Sequence, residues 1–312
     1  MRLVLDRALF APQSDQEARD LLRLLIAAMD EIAPPAVQTD PPYVLGVEGV
    51  GIVESAGDGF LAKRLVGRRV AISADGEGTY RDVTIVDAKR ALPVPRTLSD
   101  EAASMIFVNP LTAYAIVHEV LRVRREDTVL ITAAGSALGR MVIRLGKSYG
   151  FETIAVVRRP ELGDELRRDG ATHVIAADPM RLVEAVRDAT RGAGANHALD
   201  CVGGALGTAV IRSLTVDGHA VLYGTLSREP IELAPRDLMM PVARVSGFFL
   251  PTWLARQSLF TKLRVLRAVT SAIGDGTLAT EVAATFSLDR HREAFEAAMR
   301  PGTRGKVLFR MR

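Results

Sequence analysis

The chain has 312 residues, 48% of them hydrophobic and 25% charged, which makes about two domains of an ordinary globular protein and excludes a disordered or fibrous one. Forty Lys and Arg against 37 acids leave a net charge of +3, but the densest basic run, Arg122 to Arg125, is broken by Val123 and followed by two acids. That is no nucleic-acid-binding tract, so no nucleic-acid partner is expected.

Residues 1–10 carry Asp6 and Arg7, and the apolar run 21–29 is broken by Arg23. Neither reads as a signal peptide or a membrane span, so a cytoplasmic protein without a membrane partner is expected. Residues 16–32 read as a helix with acids and arginines on one side. Residues 46–59 are glycine-rich with short valine-bearing runs, and 69–73 and 82–86 read as further short strands. Turns at Asp58-Gly59, Asp75-Gly76 and residues 93–95 separate them, the pattern of a twisted, barrel-like β domain. From residue 127 onward strands and helices alternate: 128–133, then 138–149; 153–158, then 161–169; 173–176, then 180–190; 197–202, then 205–214; and 220–223. Such spacing predicts βαβ units and a doubly wound parallel sheet, an α/β fold. Leu138, Met141, Val142 and Leu145 share one face of the first helix, which stops at Gly150. The tail reads as helix (256–273), helix (291–299) and a strand (306–309) that needs a partner from elsewhere.

Val129-Leu130-Ile131-Thr132-Ala133-Ala134-Gly135-Ser136-Ala137-Leu138-Gly139 is a strand, a turn of small residues and a helix start. In a dinucleotide-binding fold this turn lets a pyrophosphate approach the backbone and meet the positive end of the helix. The usual G-x-G-x-x-G stands here as Ala133-x-x-Ser136-x-x-Gly139, with Gly135 out of register. A tight turn that binds nothing fits this segment equally well. The next run ends in Val156-Val157-Arg158-Arg159, about 20 residues on, where an NAD-binding chain carries an acid for the ribose 2′-hydroxyl. Two arginines there suit the 2′-phosphate of NADPH, which a guanidinium can grip bidentately; surface arginines are the plain alternative. Arg158, directly after the last valine, is the better placed.

The single cysteine, Cys201, excludes an intrachain disulfide and a four-cysteine zinc site. No two of the five histidines are spaced as paired ligands on one element, so no metal is expected. A lone thiol in a strand end reads as a small hydrophobe.

Several segments together resemble the medium-chain dehydrogenase/reductase superfamily: Gly46-Val47-Glu48-Gly49-Val50-Gly51, Gly67-Arg68-Arg69-Val70, Gly78-Thr79-Tyr80, Asn109-Pro110-Leu111-Thr112-Ala113-Tyr114, Asp200-Cys201-Val202-Gly203-Gly204 and Gly305-Lys306-Val307-Leu308. Within it the chain is similar to the zinc-independent quinone oxidoreductase and 2-enoyl-thioester reductase branch. Val47 stands where zinc-dependent members place a histidine. The resemblance implies a Rossmann domain at 109–247 and a GroES-like catalytic domain at 1–108 completed by 248–312. It implies NADPH as cofactor and reduction of an activated C=C or quinone in a small molecule. Asn109 and Thr112 would face the nicotinamide side and Gly135, Ser136, Ala137 and Leu138 the pyrophosphate. Arg158 and Arg159 would hold the 2′-phosphate, Tyr223, Gly224, Thr225 and Leu226 would follow the fifth strand, Phe248, Phe249 and Leu250 would flank the ribose, and Lys306 would add a charge. The residues alone also allow core or interface aromatics at Phe248 and Phe249, a buried strand end at Tyr223, a turn at Asn109 and a solvated charge at Lys306.

The enoyl reductases carry a tyrosine before the Gly-x-Glu-Gly segment. Tyr43 is the nearest here and Tyr80 a second candidate. This departure, with the unfamiliar residues 1–40, also fits an NADPH-binding sensor or structural protein that has lost catalysis. The apolar stretch 242–249 is expected to be a sheet edge that pairs with its copy in a homodimer.

Overall fold

A computed structural model describes residues 44–74, 78–300 and 302–311. They divide into two compact units: Asn109–Ala279, and the described residues up to Val108 together with those from Thr280 onward. Tyr43, residues 1–40 and the predicted turn at Asp75-Gly76 lie outside the described residues.

Among the described residues the order begins with β1 (Glu48–Ile52), α1 (Phe60–Leu65), β2 (Arg69–Ser73), β3 (Ala91–Pro93) and α2 (Asp100–Ser104). The three strands form one antiparallel sheet in the order β1-β2-β3, with Gly49 opposite Ile72 and Gly51 opposite Val70. Val53, Leu65, Val70 and Ile72 make its small core. Residues 60–65, just after the glycine-rich run, form a helix that the sequence pattern did not predict; FLAKRL has no β-branched residue and carries Lys63 and Arg64 in its last turn, which suit a helix C-terminus. One expectation is corrected here. Residues 82–86 are irregular, with the buried Thr84 hydroxyl donating to the Gly78 carbonyl at 2.9 Å; the third strand comes later, at β3.

The second unit opens with α3 (Asn109–Tyr114), which continues as a π-type turn over Ala115–Val120. There follow β4 (Thr128–Ile131), α4 (Ala137–Tyr149), β5 (Glu152–Val157), α5 (Gly163–Asp169), β6 (His173–Ala176), α6 (Leu182–Ala189), β7 (Ala195–Asp200), α7 (Gly204–Arg212), β8 (Leu214–Leu222), α8 (Pro235–Met239), β9 (Arg244–Gly247), α9 (Leu250–Ala255) and α10 (Leu259–Gly274). All six strands are parallel, in the order β6-β5-β4-β7-β8-β9, which places the topological switch between β4 and β7. Leu130, Ile154, Val156, Ala198 and Ala220 line one face of the sheet and pack with Leu182, Val186, Val210 and Ile211 of α6 and α7. Each fully buried large aliphatic side chain in this layer contributes roughly 1.5–3 kcal/mol. The unit runs past the expected limit at 247, because Arg144 of α4 donates to the carbonyls of Thr277 and Ala279 at 2.9 and 2.6 Å.

In the tail, β10 (Val282–Ser287), α11 (His291–Met299) and β11 (Lys306–Arg310) form a βαβ unit, β10 and β11 pairing in parallel with Phe286 opposite Phe309. The partner that the last strand needs is therefore β10, which the sequence pattern did not predict.

Candidate functional site

The turn between β4 and α4 is built by three close approaches. Ser136 caps α4, its hydroxyl accepting from the Gly139 N–H at 3.1 Å. Gly139 packs so tightly that a Cβ there would lie 2.6 Å from the Ala134 carbonyl oxygen and 2.7 Å from its Cα. A Cβ on Gly135 would lie 2.7 Å from Leu162 Cδ1. Ala133, at the place of the usual first glycine, adopts φ +45°, a left-handed conformation that an alanine enters only at a cost. Ser136 is exposed, Gly135 and Ala137 are half-buried and Leu138 is buried. The N–H groups of Ala137 and Leu138, in the first turn of the helix, find no partner among the described residues. An open helix entrance with free N–H donors favours an anion.

Arg158 and Arg159 follow β5 directly. Both are exposed, and neither is ion-paired among the described residues. Two unneutralised guanidiniums therefore stand at the carboxyl end of the strand next to the turn. At the switch point Asp200 is buried and fully used. It accepts from Thr132 Oγ1 at 2.6 Å and from the N–H groups of Val202 and Gly203 at 3.0 Å each. Tyr223 follows β8, its N–H donating to the Asp200 carbonyl. Its hydroxyl is buried beside the Cys201 thiol without a hydrogen bond of normal geometry among the described residues. Burial pushes both the phenol and the thiol up, so both stay protonated at neutral pH. Gly224, Thr225 and Leu226 are exposed, and the Leu226 N–H donates to the Cys201 carbonyl. Phe248 is buried against Trp253, Phe249 is 53% exposed and Leu250 opens α9. Gly135 to Leu138, Arg158, Arg159, Tyr223 to Leu226 and Phe248 to Leu250 thus all follow the carboxyl ends of parallel strands, where ligands of such sheets bind. Half-buried Asn109 and buried Thr112 lie on α3, which packs on α4 in the same unit.

The other unit holds a separate titratable group. Glu48 of β1 accepts from the backbone N–H groups of Phe107 and Val108 at 3.1 and 3.0 Å. Burial outweighs these bonds and the nearby Lys306 charge and raises its pKa to about 7. Tyr80, edge-on to Phe309 at 4.8 Å, is pushed up by burial and by the Glu48 carboxyl. Lys306 is exposed and belongs to this group, beside Glu48. Val47 is 60% exposed. Among the described residues no set of three or more His, Cys, Asp or Glu side chains is placed to hold a metal ion. No helix among them is long and apolar enough to cross a membrane.

Sequence reasoning missed two residues. Arg140, on α4, is buried and bound to two acids of α5. The only sequence signal was the i, i+4 spacing of Glu165 and Asp169, which puts both on one helix face. The raised pKa of Glu48 had none, since its desolvation comes from chain segments far away in sequence.

Residues 137–266 match the zinc-binding dehydrogenase domain family. The chain is 29% identical over 274 residues to the human mitochondrial enoyl-[acyl-carrier-protein] reductase, covering 86% of this chain and 73% of that one. A crystal structure designated an NADPH:quinone reductase, from Bacillus thuringiensis, aligns with TM-score 0.81 and 31% identity over 88% of this chain and 82% of its own. The chain belongs to the medium-chain dehydrogenase/reductase superfamily. Within it this reductase falls in the quinone and enoyl reductase branch. A mycobacterial member solved in complex with NADPH aligns at 25% identity and TM-score 0.76, over 88% and 84% of the two chains.

Proposed function

We propose that the chain is an NADPH-dependent, zinc-free oxidoreductase that reduces an activated C=C or a quinone in a small molecule. The observation that carries this reading is the exposed arginine pair at the tip of β5, without an ion-pair partner among the described residues, in the unit whose α4 entrance leaves the Ala137 and Leu138 N–H groups without a partner among them. Bound NADPH supplies the hydride, delivered to a carbon conjugated with a carbonyl or to a quinone ring. The chain's part is to bind and orient. Ala137 and Leu138 N–H and the α4 dipole receive the pyrophosphate, and the Ser136 hydroxyl, whose oxygen already caps the helix, keeps its proton to donate. Arg158 and Arg159 receive the 2′-phosphate. Tyr223, Gly224, Thr225 and Leu226 and then Phe248, Phe249 and Leu250 border the dinucleotide, and Asn109 and Thr112 its nicotinamide side. The donor set supports a zinc-free reading, because exposed Val47 replaces the histidine of zinc-dependent members. Tyr80 keeps its phenolic proton through neutral pH, as a proton source must; Tyr43 is the alternative donor.

β9 is the last strand of its sheet, and Met239, Met240 and Val242 near it are exposed. An open edge with apolar neighbours supports a homodimer through β9, as expected for a cytoplasmic protein of this kind.

Arg158→Ala tests the reading. NADPH affinity should fall by about 2 kcal/mol, roughly 30-fold, while NADH affinity changes little, as measured by titration calorimetry. An equal loss for both nucleotides removes Arg158 from the 2′-phosphate site. Tight NADPH binding without turnover on quinones, enals or enoyl thioesters would instead favour a chain that has lost catalysis.

A further inference from the structure

Arg140 occupies the first turn of α4, where the positive end of the helix disfavours a cation. It is only 7% exposed. A buried guanidinium in such a place costs desolvation, and buried ion pairs are weak stabilisers on their own account. Its fork nevertheless makes three contacts. Nη1 donates to Asp169 Oδ2 at 2.7 Å, Nη2 to Glu165 Oε2 at 2.8 Å, and Nε to the Gly135 carbonyl at 3.3 Å. The same peptide is pinned from its other side, where the Ser136 N–H donates to the Ala133 carbonyl at 2.9 Å. Leu162 Cδ1 fills the space that a side chain on Gly135 would need. The two acids sit one turn apart on α5, the helix that follows the Arg158–Arg159 segment. One buried side chain therefore ties the turn that precedes α4 to the helix that follows the arginine pair in the chain.

We propose that Arg140 is a positioning residue that fixes the separation of the two phosphate subsites, so that a dinucleotide bearing a 2′-phosphate engages both at once. This rests on the nucleotide reading above. Arg140 touches neither phosphate. It acts by holding the Gly135–Ser136 peptide and α5 in one register, and with them the Ala137 and Leu138 donors on one side and the Arg158 guanidinium on the other. A ligand that uses one subsite gains little from that register. A ligand that uses both depends on it, since a misplacement of about 1 Å costs up to two orders of magnitude in a rigid site.

Two variants of the full chain separate this from a merely structural role. Arg140→Lys keeps the charge and one carboxylate contact but cannot span all three partners. The triple variant Arg140→Gln, Glu165→Gln, Asp169→Asn removes the network without leaving a buried charge unpaired. Dissociation constants for NADPH and NADH are measured by calorimetry for each, beside thermal unfolding. In both variants NADPH binding should weaken about tenfold while NADH binding stays within about twofold. Arg140→Lys should add nothing to the NADPH loss of Arg158→Ala, because the two act on one contact. A lowered melting temperature with an unchanged ratio of NADPH to NADH affinity overturns the proposal, as does an additive double variant. If the wild-type chain itself shows no preference for NADPH, the nucleotide reading falls first, and the variants are not needed to see it.

Discussion

The two units bury polar groups in different ways. In the six-stranded unit the buried Asp200 carboxylate has a donor for each oxygen, from Thr132, Val202 and Gly203, and the buried Arg140 has two acids and a carbonyl. In the other unit Glu48 has two backbone donors on one oxygen, and burial still pushes its pKa to about 7. The six-stranded unit pairs these two buried charges with partners on several sides. The other unit holds a carboxyl that prefers its proton near neutrality, at a real cost to the ionised fold.

The largest test of that contrast sets two motif glycines against each other. A Cβ on Gly139 meets the Ala134 backbone within 2.6 to 2.8 Å, and backbone cannot step aside. On Gly49 of β1 it meets only Thr79 and Ile72 side chains at 3.7 to 4.0 Å, an ordinary contact. Gly139→Ala should therefore cost about 3 kcal/mol or more in denaturant unfolding and take nucleotide binding with it. Gly49→Ala should stay within about 0.5 kcal/mol. Comparable losses would show that the six-stranded unit is no more tightly packed around its motif than the other unit.

Next in size is the pH dependence. The Glu48 pKa is about 7 in the fold against 4.5 for an unperturbed carboxyl, so the folded state binds the proton more tightly. Its contribution is complete below pH 4.5 and is lost as pH rises through 7, a fall of up to about 3 kcal/mol. Glu48→Gln keeps an acceptor for Phe107 and Val108, so it should stabilise the chain at pH 8 and change little at pH 4.5. The six-stranded unit leans the other way. Burial lowers the pKa of His197 and His219, which pair side by side on β7 and β8, with Arg124 and Arg244 lowering the first and Arg244 the second. Asp127 Oδ2 at 3.0 Å only partly opposes this for His197. Their protonation is disfavoured in the fold, so stability falls as pH drops below the ordinary histidine value. His197→Gln with His219→Gln should flatten the acid limb and leave the alkaline one. A single limb governed by both the Glu48 variant and the histidine pair would break the division.

What the sequence made legible divides along the same line. The strand at residues 173–176, the helix at 291–299 and the position of Arg158 were readable because short β-branched runs, apolar faces and a fixed offset from the turn are local signals. Val282–Ser287 was not, since VAATFS has only weak apolar alternation and what makes it a strand is its pairing with Lys306–Arg310, a contact not local in sequence. Residues 60–65 were hidden by the glycines around them. Arg140 was lost among 35 arginines, and only the fold brings Glu165 and Asp169 to it. Glu48 was legible as part of a motif but not as a titrating group, because desolvation depends on what packs over a residue.

The smallest effect concerns the turn itself. Ala133 holds φ +45° where a glycine would sit without strain, and the left-handed region costs an L-residue about 1–2 kcal/mol. Glycine returns part of that gain, because it frees the unfolded chain by roughly 0.5–1 kcal/mol. Ala133→Gly should therefore raise stability by no more than about 1 kcal/mol. Its effect on NADPH affinity should be slight, since the free donors belong to Ala137 and Leu138 and Ser136 still caps the helix. A destabilised Ala133→Gly chain would mean that the alanine methyl packs well enough to offset its backbone strain. The rigidity of the turn before α4 would then come from side-chain contact as much as from the close approach at Gly139.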